Sequence, residues 1–304
     1  MNPRALSRWA LAATLALVAV GGFTRGSGSG FGCSDRWPLC EGGLLGGLLP
    51  RVEYHMIVEW SHRWLAVMVG LLAVATAIAS WRRARRWVAW VAIAAVLTIG
   101  VQAWVGRLVV AERLDADLVS LHLAISMTVA ALMAVVVVAT GTQARSERAW
   151  VARLGAGAGV IFGVLMLGSL VHNLYIPGWP LTMGSLVPNL SDRNVAIHFV
   201  HRVAAAGGLG YLLYLAGAAR AHDLHGRWLI DVAVVTYAVN IGLGAAHVFT
   251  EVGSSLLVAT HLALASIALI ALVAATALAS GAAPPATVAV ASPGTTSDGA
   301  RFTV

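Results

Sequence analysis

Four histidines occupy matching places in the two halves of a 304-residue chain. His62 and His201 are 139 positions apart, and so are His122 and His261. All four lie inside long apolar runs, where ionisable residues are rare and are functional candidates by default. One such histidine alone is most simply a polar core residue bonded to a neighbouring carbonyl. Four histidines at matched depth favour a set of ligands.

Each half presents two imidazoles from two parallel helices, and such a pair can clamp one flat metal macrocycle through two axial ligands. Zinc would need three or four converging nitrogen or sulfur ligands, and a di-iron site would need more carboxylates than this region offers. The pairs therefore predict haem iron, held by His62 with His122 and by His201 with His261. Arg63 and Arg202 each follow one of these histidines and are predicted propionate partners; the alternative is that they snorkel to the membrane interface.

Glu59 distinguishes the first half from the second. It lies three residues before His62, so both side chains share one face of a helix. A carboxylate next to a substrate can relay protons or stabilise developing positive charge. His198 occupies the corresponding position of the second half. We therefore expect chemistry in the first half and a resident redox cofactor in the second. The alternative for Glu59 is a structural hydrogen bond to His62 or Arg63.

The composition indicates what kind of elements position these residues. Hydrophobic residues make up 59% of the chain and charged residues 11%, and the mean hydropathy is +0.82. A soluble domain of this size could not bury so much apolar surface, and a disordered chain would be far more polar. The net charge of +7 comes from arginines that lie mostly between apolar runs. This placement is typical of membrane topology and excludes nucleic acid as a partner.

Eight runs are long enough to span a membrane as helices. They cover about residues 7–25, 56–80, 88–110, 118–140, 155–175, 195–219, 228–249 and 255–280. Alternate gaps are rich in arginine, which by the positive-inside rule predicts a multi-pass protein of the cell membrane with both termini in the cytoplasm. The loop with Cys33 and Cys40 then faces outward, where a disulfide can persist.

An internal repeat organises the runs. Besides the histidines, Gln102 and Gly106 match Asn240 and Gly244 at an offset of 138, and the Trp-Pro-Leu at residues 37–39 matches that at 179–181. The predicted fold is all-α, with eight transmembrane helices in two parallel-repeat four-helix bundles. The first bundle domain covers residues 1–142 and the second 143–280. Residues 281–304 are expected to be a disordered cytoplasmic tail.

Several of these motifs together resemble the haem A synthase family. They are Glu59-Trp-Ser-His62-Arg, the Gly-Ser-Gly-Ser-Gly stretch before Cys33, Trp-Pro-Leu-Cys40, and the repeated His-Arg and His-Leu-Ala pieces. The resemblance covers about residues 7–280. It implies an enzyme that oxidises the C8 methyl group of haem O to a formyl group, giving haem A for cytochrome oxidase.

The resemblance also implies roles for individual residues. His201 and His261 would hold a haem b cofactor, His62 and His122 would hold the substrate haem, and Glu59 would be the catalytic carboxylate. The family's outward cysteine pair matches Cys33 and Cys40. That pair is either a structural staple or an exposed redox element that exchanges electrons with an outside thiol protein.

The partners implied are haem O as substrate, the haem O synthase that would supply it, and a membrane or external electron-transfer partner; a homo-oligomer is compatible with the sequence.

The main alternative function is a membrane di-haem electron carrier of the cytochrome b type, and a transporter is disfavoured by the parallel repeat. The remaining polar residues have minor expected roles. His172 and His247 are expected to be polar groups at the membrane interface, and His55, His222 and His225 to be solvated. Gln102 and Asn240 are expected to form hydrogen bonds between helices, and His198 has no assigned role.

Overall fold

The computed structural model describes residues 2–141, 146–171 and 175–282. Eight long helices account for most of these residues: α1 (Pro3–Gly26), α2 (Tyr54–Arg83), α3 (Arg86–Ala111), α4 (Ala116–Ala139), α5 (Val151–Val171), α6 (Arg193–Ala221), α7 (Trp228–Phe249) and α8 (Ser255–Ala279). Their ends lie within four residues of the predicted runs. All eight are long and apolar enough to cross a membrane. The all-helical prediction is therefore confirmed, and the chain is a multi-pass membrane protein.

Short polar side chains define where several helices begin. Asp115, Asp192 and Ser254 accept hydrogen bonds from backbone N–H groups in the first turns of α4, α6 and α8. The first N–H groups of a helix have no partner within the helix, so such a cap stabilises the terminus. We call the end of the molecule at which α2, α4, α6 and α8 begin the histidine end. The caps fix the start of these helices and thereby the depth of the residues that follow.

The proposed ligands lie at matched depths from this end. His62 and His201 are the ninth residues of α2 and α6, whereas His122 and His261 are the seventh residues of α4 and α8. A helix rises about 1.5 Å per residue. All four imidazoles therefore originate within the first few turns, at similar distances from the histidine end.

The helices are arranged as two groups of four. In the first bundle, helices α1 to α4 pack in a ring in chain order, so α2 and α4 are diagonal to each other. Helices α5 to α8 form the second bundle in the same way, with α6 and α8 on the diagonal. This packing supports the predicted pair of bundles. The parallel-repeat relation between them stays a prediction.

Helix α8 joins the bundles, because it contacts α1 and α4 as well as its own neighbours α5 and α7. Two glycines let α1 approach it closely. A Cβ atom added at Gly22 would lie 3.2 Å from the Cα atom of Ala259, and one at Gly26 would lie 3.0 Å from that of Ser255. Small residues at such crossings are typical of membrane proteins, where close backbone packing replaces the hydrophobic effect.

At the end of the molecule opposite the histidine end, hydrogen bonds to backbone carbonyls connect neighbouring segments of the chain. Arg85 donates hydrogen bonds to the carbonyls of Ala139 and Ala282, and the Glu147 N–H donates to the Ala279 carbonyl at 2.8 Å. The C-terminal tail is predicted to be disordered, and its residues 283–304 lie outside the described residues. Arg145, one of the arginines between the apolar runs, also lies outside them.

Candidate functional site

Each predicted histidine pair comes from the two diagonal helices of one bundle. His62, His122 and His201 are each half-buried. Paired imidazoles on opposite helices of one bundle are donors of the kind that can hold haem iron.

The imidazoles of the first bundle are not held by hydrogen bonds. The Nδ1 atoms of His62 and His122 are both buried and have no hydrogen-bond partner among the described residues. A bond at one ring nitrogen normally decides which nitrogen carries the proton and which can bind a metal. The protein leaves that choice open at Nδ1 of both rings, so a bound metal can select the tautomer.

The second bundle orients His201. Its Nδ1 atom lies 3.1 Å from the Val164 carbonyl oxygen on α5. Since a carbonyl only accepts, Nδ1 carries the proton and Nε2 keeps the lone pair that an iron atom needs. His261 packs edge-to-face against His247, with ring centroids 5.2 Å apart. The expectation that His247 is only an interface group missed this contact with a proposed ligand.

Glu59 is 3% exposed, and both of its carboxylate oxygens accept hydrogen bonds. Its Oε1 atom accepts from Arg63, with distances of 2.5 Å to Nη2 and 3.1 Å to Nε. Its Oε2 atom accepts from the backbone N–H of Cys33 at 2.7 Å. A buried carboxylate is tolerated only when it is paired and hydrogen-bonded. The expected structural hydrogen bond to Arg63 is therefore present, and the cysteine loop supplies a second one that no sequence pattern indicated.

Arg63 also holds the outer loop of the first bundle, since its Nη1 atom donates to the carbonyls of Arg36, Pro38 and Leu39 at 2.8–3.2 Å. Arg202 makes the equivalent contacts in the second bundle. It donates to the carbonyls of Gly178, Leu181 and Ile176 at 2.6, 3.0 and 3.2 Å. Both arginines therefore fasten a loop over the bundle that carries their neighbouring histidine. Their contact with propionates stays a prediction.

Cys33 and Cys40 form a disulfide bond. The two residues are 0% and 1% exposed and pack with Met56 and Trp60 of α2. The predicted disulfide is therefore present, and the loop folds back over the start of α2 and covers both sulfur atoms. The disulfide also places the Cys33 N–H against Glu59.

The other polar residues divide into confirmed and unexplained groups. Gln102 donates from α3 to the His122 carbonyl of α4 at 2.9 Å, which confirms it as an interhelical amide. Asn240 is buried, and its Oδ1 atom has no hydrogen-bond partner in the described ranges. The same is true of the Nδ1 atom of His198. His55, His222 and His225 are exposed as expected, and His172 lies outside the described residues.

Comparisons with known proteins agree with this arrangement. Residues 48–273 match the family described as cytochrome oxidase assembly protein, COX15-CtaA. The chain is 32% identical over 235 residues to the heme A synthase of Symbiobacterium thermophilum, covering 71% of this chain and 75% of the relative. It is 29% identical over 253 residues to the heme A synthase of Alkalihalophilus pseudofirmus, covering 78% and 84% of the two chains. Because the family match spans most of the eight-helix region that carries the histidine pairs, the chain belongs to the COX15-CtaA family of cytochrome oxidase assembly proteins.

Proposed function

We propose that this protein is a haem A synthase that oxidises the C8 methyl group of haem O to a formyl group. The observation that carries the proposal is Glu59, a buried carboxylate one helical turn from His62 and on the same face of α2. The second bundle has His198 in its place. A carbon oxidation moves protons, and Glu59 is an acid placed to move them, whereas the matching position of the second half holds His198.

The first bundle, within residues 1–142, is the substrate site in this proposal. His62 on α2 and His122 on α4 would hold the iron of haem O between the two diagonal helices of this bundle. The unbonded Nδ1 atoms suit a ligand that must arrive and leave, since no protein contact has to break when a ring turns toward the substrate.

Glu59 is the proposed catalytic residue. Its carboxylate accepts two bonds from Arg63 and one from the Cys33 amide, so it stays in place while it takes up a proton at one oxygen. Arg63 stabilises the charged form before and after that transfer. The loop above it is closed by the disulfide and held by Arg63, and it helps to shield Glu59 from solvent.

The second bundle, within residues 143–280, is the proposed site of a resident haem b bound by His201 and His261. A bound haem b supplies one-electron transfer there. His201 is oriented for it by the Val164 carbonyl, which also raises the basicity of the ligand nitrogen. Arg63 and Arg202 are the proposed partners of the propionates, because each directly follows a proposed ligand in the sequence.

The remaining expectations complete the proposal. The arginine-rich gaps support an orientation with both termini in the cytoplasm and the histidine end outside. Haem O would come from a haem O synthase, and electrons would pass through a membrane or external partner. Burial of both cysteine sulfurs supports the staple interpretation of the disulfide over the redox interpretation.

The deciding experiment is pigment extraction from cells that make this protein together with a haem O supply. New haem A, separated by chromatography and absent from cells with the empty vector, supports the enzyme. Unchanged haem O together with a haem b spectrum on the purified protein supports the di-haem carrier. A Glu59→Gln variant in the same cells is the matched control, because it keeps the side-chain shape and removes the acid.

A further inference from the structure

A glycine on the preceding helix faces each of the four proposed ligands. Gly21 of α1 faces His62, Gly106 of α3 faces His122, Gly168 of α5 faces His201, and Gly244 of α7 faces His261. In every case the nearest atom to an added Cβ is Cε1 of the imidazole. The distances would be 3.1, 3.0, 2.9 and 3.4 Å in that order. The first three are shorter than ordinary van der Waals contact, so a methyl group there would push the ring.

The effect of the glycine on the position of the imidazole is clearest for Gly168 and His201. A helical side chain leans toward the N-terminus and covers the turn before its own Cα atom. A side chain at position 168 would therefore lie over the carbonyl of Val164, one turn earlier on α5. That carbonyl is the atom within 3.1 Å of Nδ1 of His201. The missing side chain of Gly168 leaves the carbonyl open to the ring.

No other glycine in the described ranges of α1, α3, α5 and α7 faces a histidine in this way. A Cβ atom added at Gly100 of α3, Gly163 of α5 or Gly242 of α7 would meet nothing within 4 Å, whereas Gly22 of α1 and Gly157 of α5 approach apolar side chains. The histidine contacts are therefore specific to one glycine on each of these helices. They occur at one place on each odd-numbered helix, opposite the ligand of the next helix.

We propose that Gly21, Gly106, Gly168 and Gly244 are positioning residues that set the rotation of the four axial imidazoles. This inference rests on the proposed function, because it requires the histidines to be iron ligands. The absence of a side chain lets the Cε1 edge of each ring approach the neighbouring helix, and this contact limits how the ring can turn. Alanine would tilt the ring, and at Gly168 it would also lengthen the bond to Val164. Alanine otherwise favours a helix over glycine, so the substitution tests the contact rather than helix formation.

The first test uses the haem b of the purified protein. Gly168→Ala should shift the low-spin electron paramagnetic resonance signal, which depends on the orientation of the ligand rings, and should speed haem transfer to excess apomyoglobin. Contacts that orient a metal ligand typically affect affinity by about 10–100-fold, and we expect the lower end of that range. Gly244→Ala, with its longer contact, should change both measurements less. Gly163→Ala and Gly242→Ala are the matched controls and should behave like the wild type.

The second test uses the first bundle. Gly106→Ala should weaken binding of added haem O, measured by titration, while the spectrum of the haem b in the second bundle stays unchanged. Gly100→Ala is its control on the same helix. Because the two bundles are read separately, a general defect in folding would appear in both signals and a displaced ring in only one.

The outcomes separate this inference from the proposed function. A wild-type protein that binds neither haem contradicts both. A wild-type protein that binds haem b, with spectra and transfer rates unchanged in Gly168→Ala and haem O binding unchanged in Gly106→Ala, overturns the glycine proposal alone. Equal effects in the control variants overturn it as well. If Gly168→Ala and Gly106→Ala both fail to accumulate while the controls accumulate, the glycines serve helix packing and the proposal is wrong.

Discussion

The two bundles carry similar histidine pairs, but the contacts of His62 and His122 differ from those of His201. In the first bundle, the Nδ1 atoms of His62 and His122 have no hydrogen-bond partner within the described residues, and a buried acid lies one turn away. In the second, His201 is fixed by a backbone carbonyl. The largest cluster of buried apolar residues also lies mainly in the second bundle. A site that holds a cofactor permanently benefits from preset ligands, whereas a site that must release its product does not.

The largest effect is expected from substituting His201, the proposed haem ligand whose ring is oriented by a backbone carbonyl. His201→Ala should abolish the six-coordinate low-spin haem signal of the purified protein, since one axial bond and its orienting contact are lost together. Absorbance and electron paramagnetic resonance spectra measure this. His62→Ala should leave the signal in place, because we assign that ligand to the substrate. Loss of the resident haem in His62→Ala and not in His201→Ala would reverse the assignment of the bundles.

The next largest effect should come from the acid that only the first bundle has. Glu59→Gln should lower haem A formation by about 10²–10⁴-fold, the usual contribution of a positioned acid–base group. It should still contain the resident haem and bind haem O. The measurement is chromatography of haem O, any hydroxylated intermediate and haem A. The matched variant His198→Gln should keep most of the activity. Equal losses in both variants would contradict the division between the bundles.

Arg63 and Arg202 allow a comparison of stability. Arg63→Gln leaves Glu59 buried without its counter-charge, and breaking a buried pair in this way costs on the order of 3–5 kcal/mol. Arg202→Gln removes bonds to loop carbonyls and to the Thr182 hydroxyl but leaves no buried charge behind, so it should lower the thermal midpoint less. Thermal unfolding in detergent measures both. In the double variant Glu59→Gln and Arg63→Gln, part of the loss should return. A double variant as unstable as the sum of the two single variants would argue against coupling between the residues.

The smallest effect is expected at the disulfide, which is confined to the first bundle. Cys33→Ser opens a short loop, whose closure contributes at most about 3 kcal/mol. We expect a lower unfolding temperature and nearly full haem A formation. Alkylation with and without reductant should show that the wild-type pair is oxidised in membranes. Abolished activity with unchanged stability would instead support the redox interpretation.

The sequence predicts the helices well because membrane spans depend on local length and hydropathy. It also locates the proposed ligands, since their repeat offset is constant. Contacts set by tertiary packing were not predictable. The Cys33 amide has no side-chain signal, and neither does the Val164 carbonyl. Gly21 and Gly168 are 147 positions apart, unlike the offset of 139 between the histidines they face, so the repeat did not reveal their correspondence.

The placement of α8 has a consequence for how the molecule is made. Helices enter the membrane in chain order, and α8 is the last of the eight described helices. Yet it covers Gly22 and Gly26 of α1, the first of those eight helices. Until α8 is inserted, this glycine face of α1 lacks its packing partner. The close packing of α1 therefore waits for the synthesis of α8, and a nascent chain stopped before Ser255 would expose both glycines to lipid.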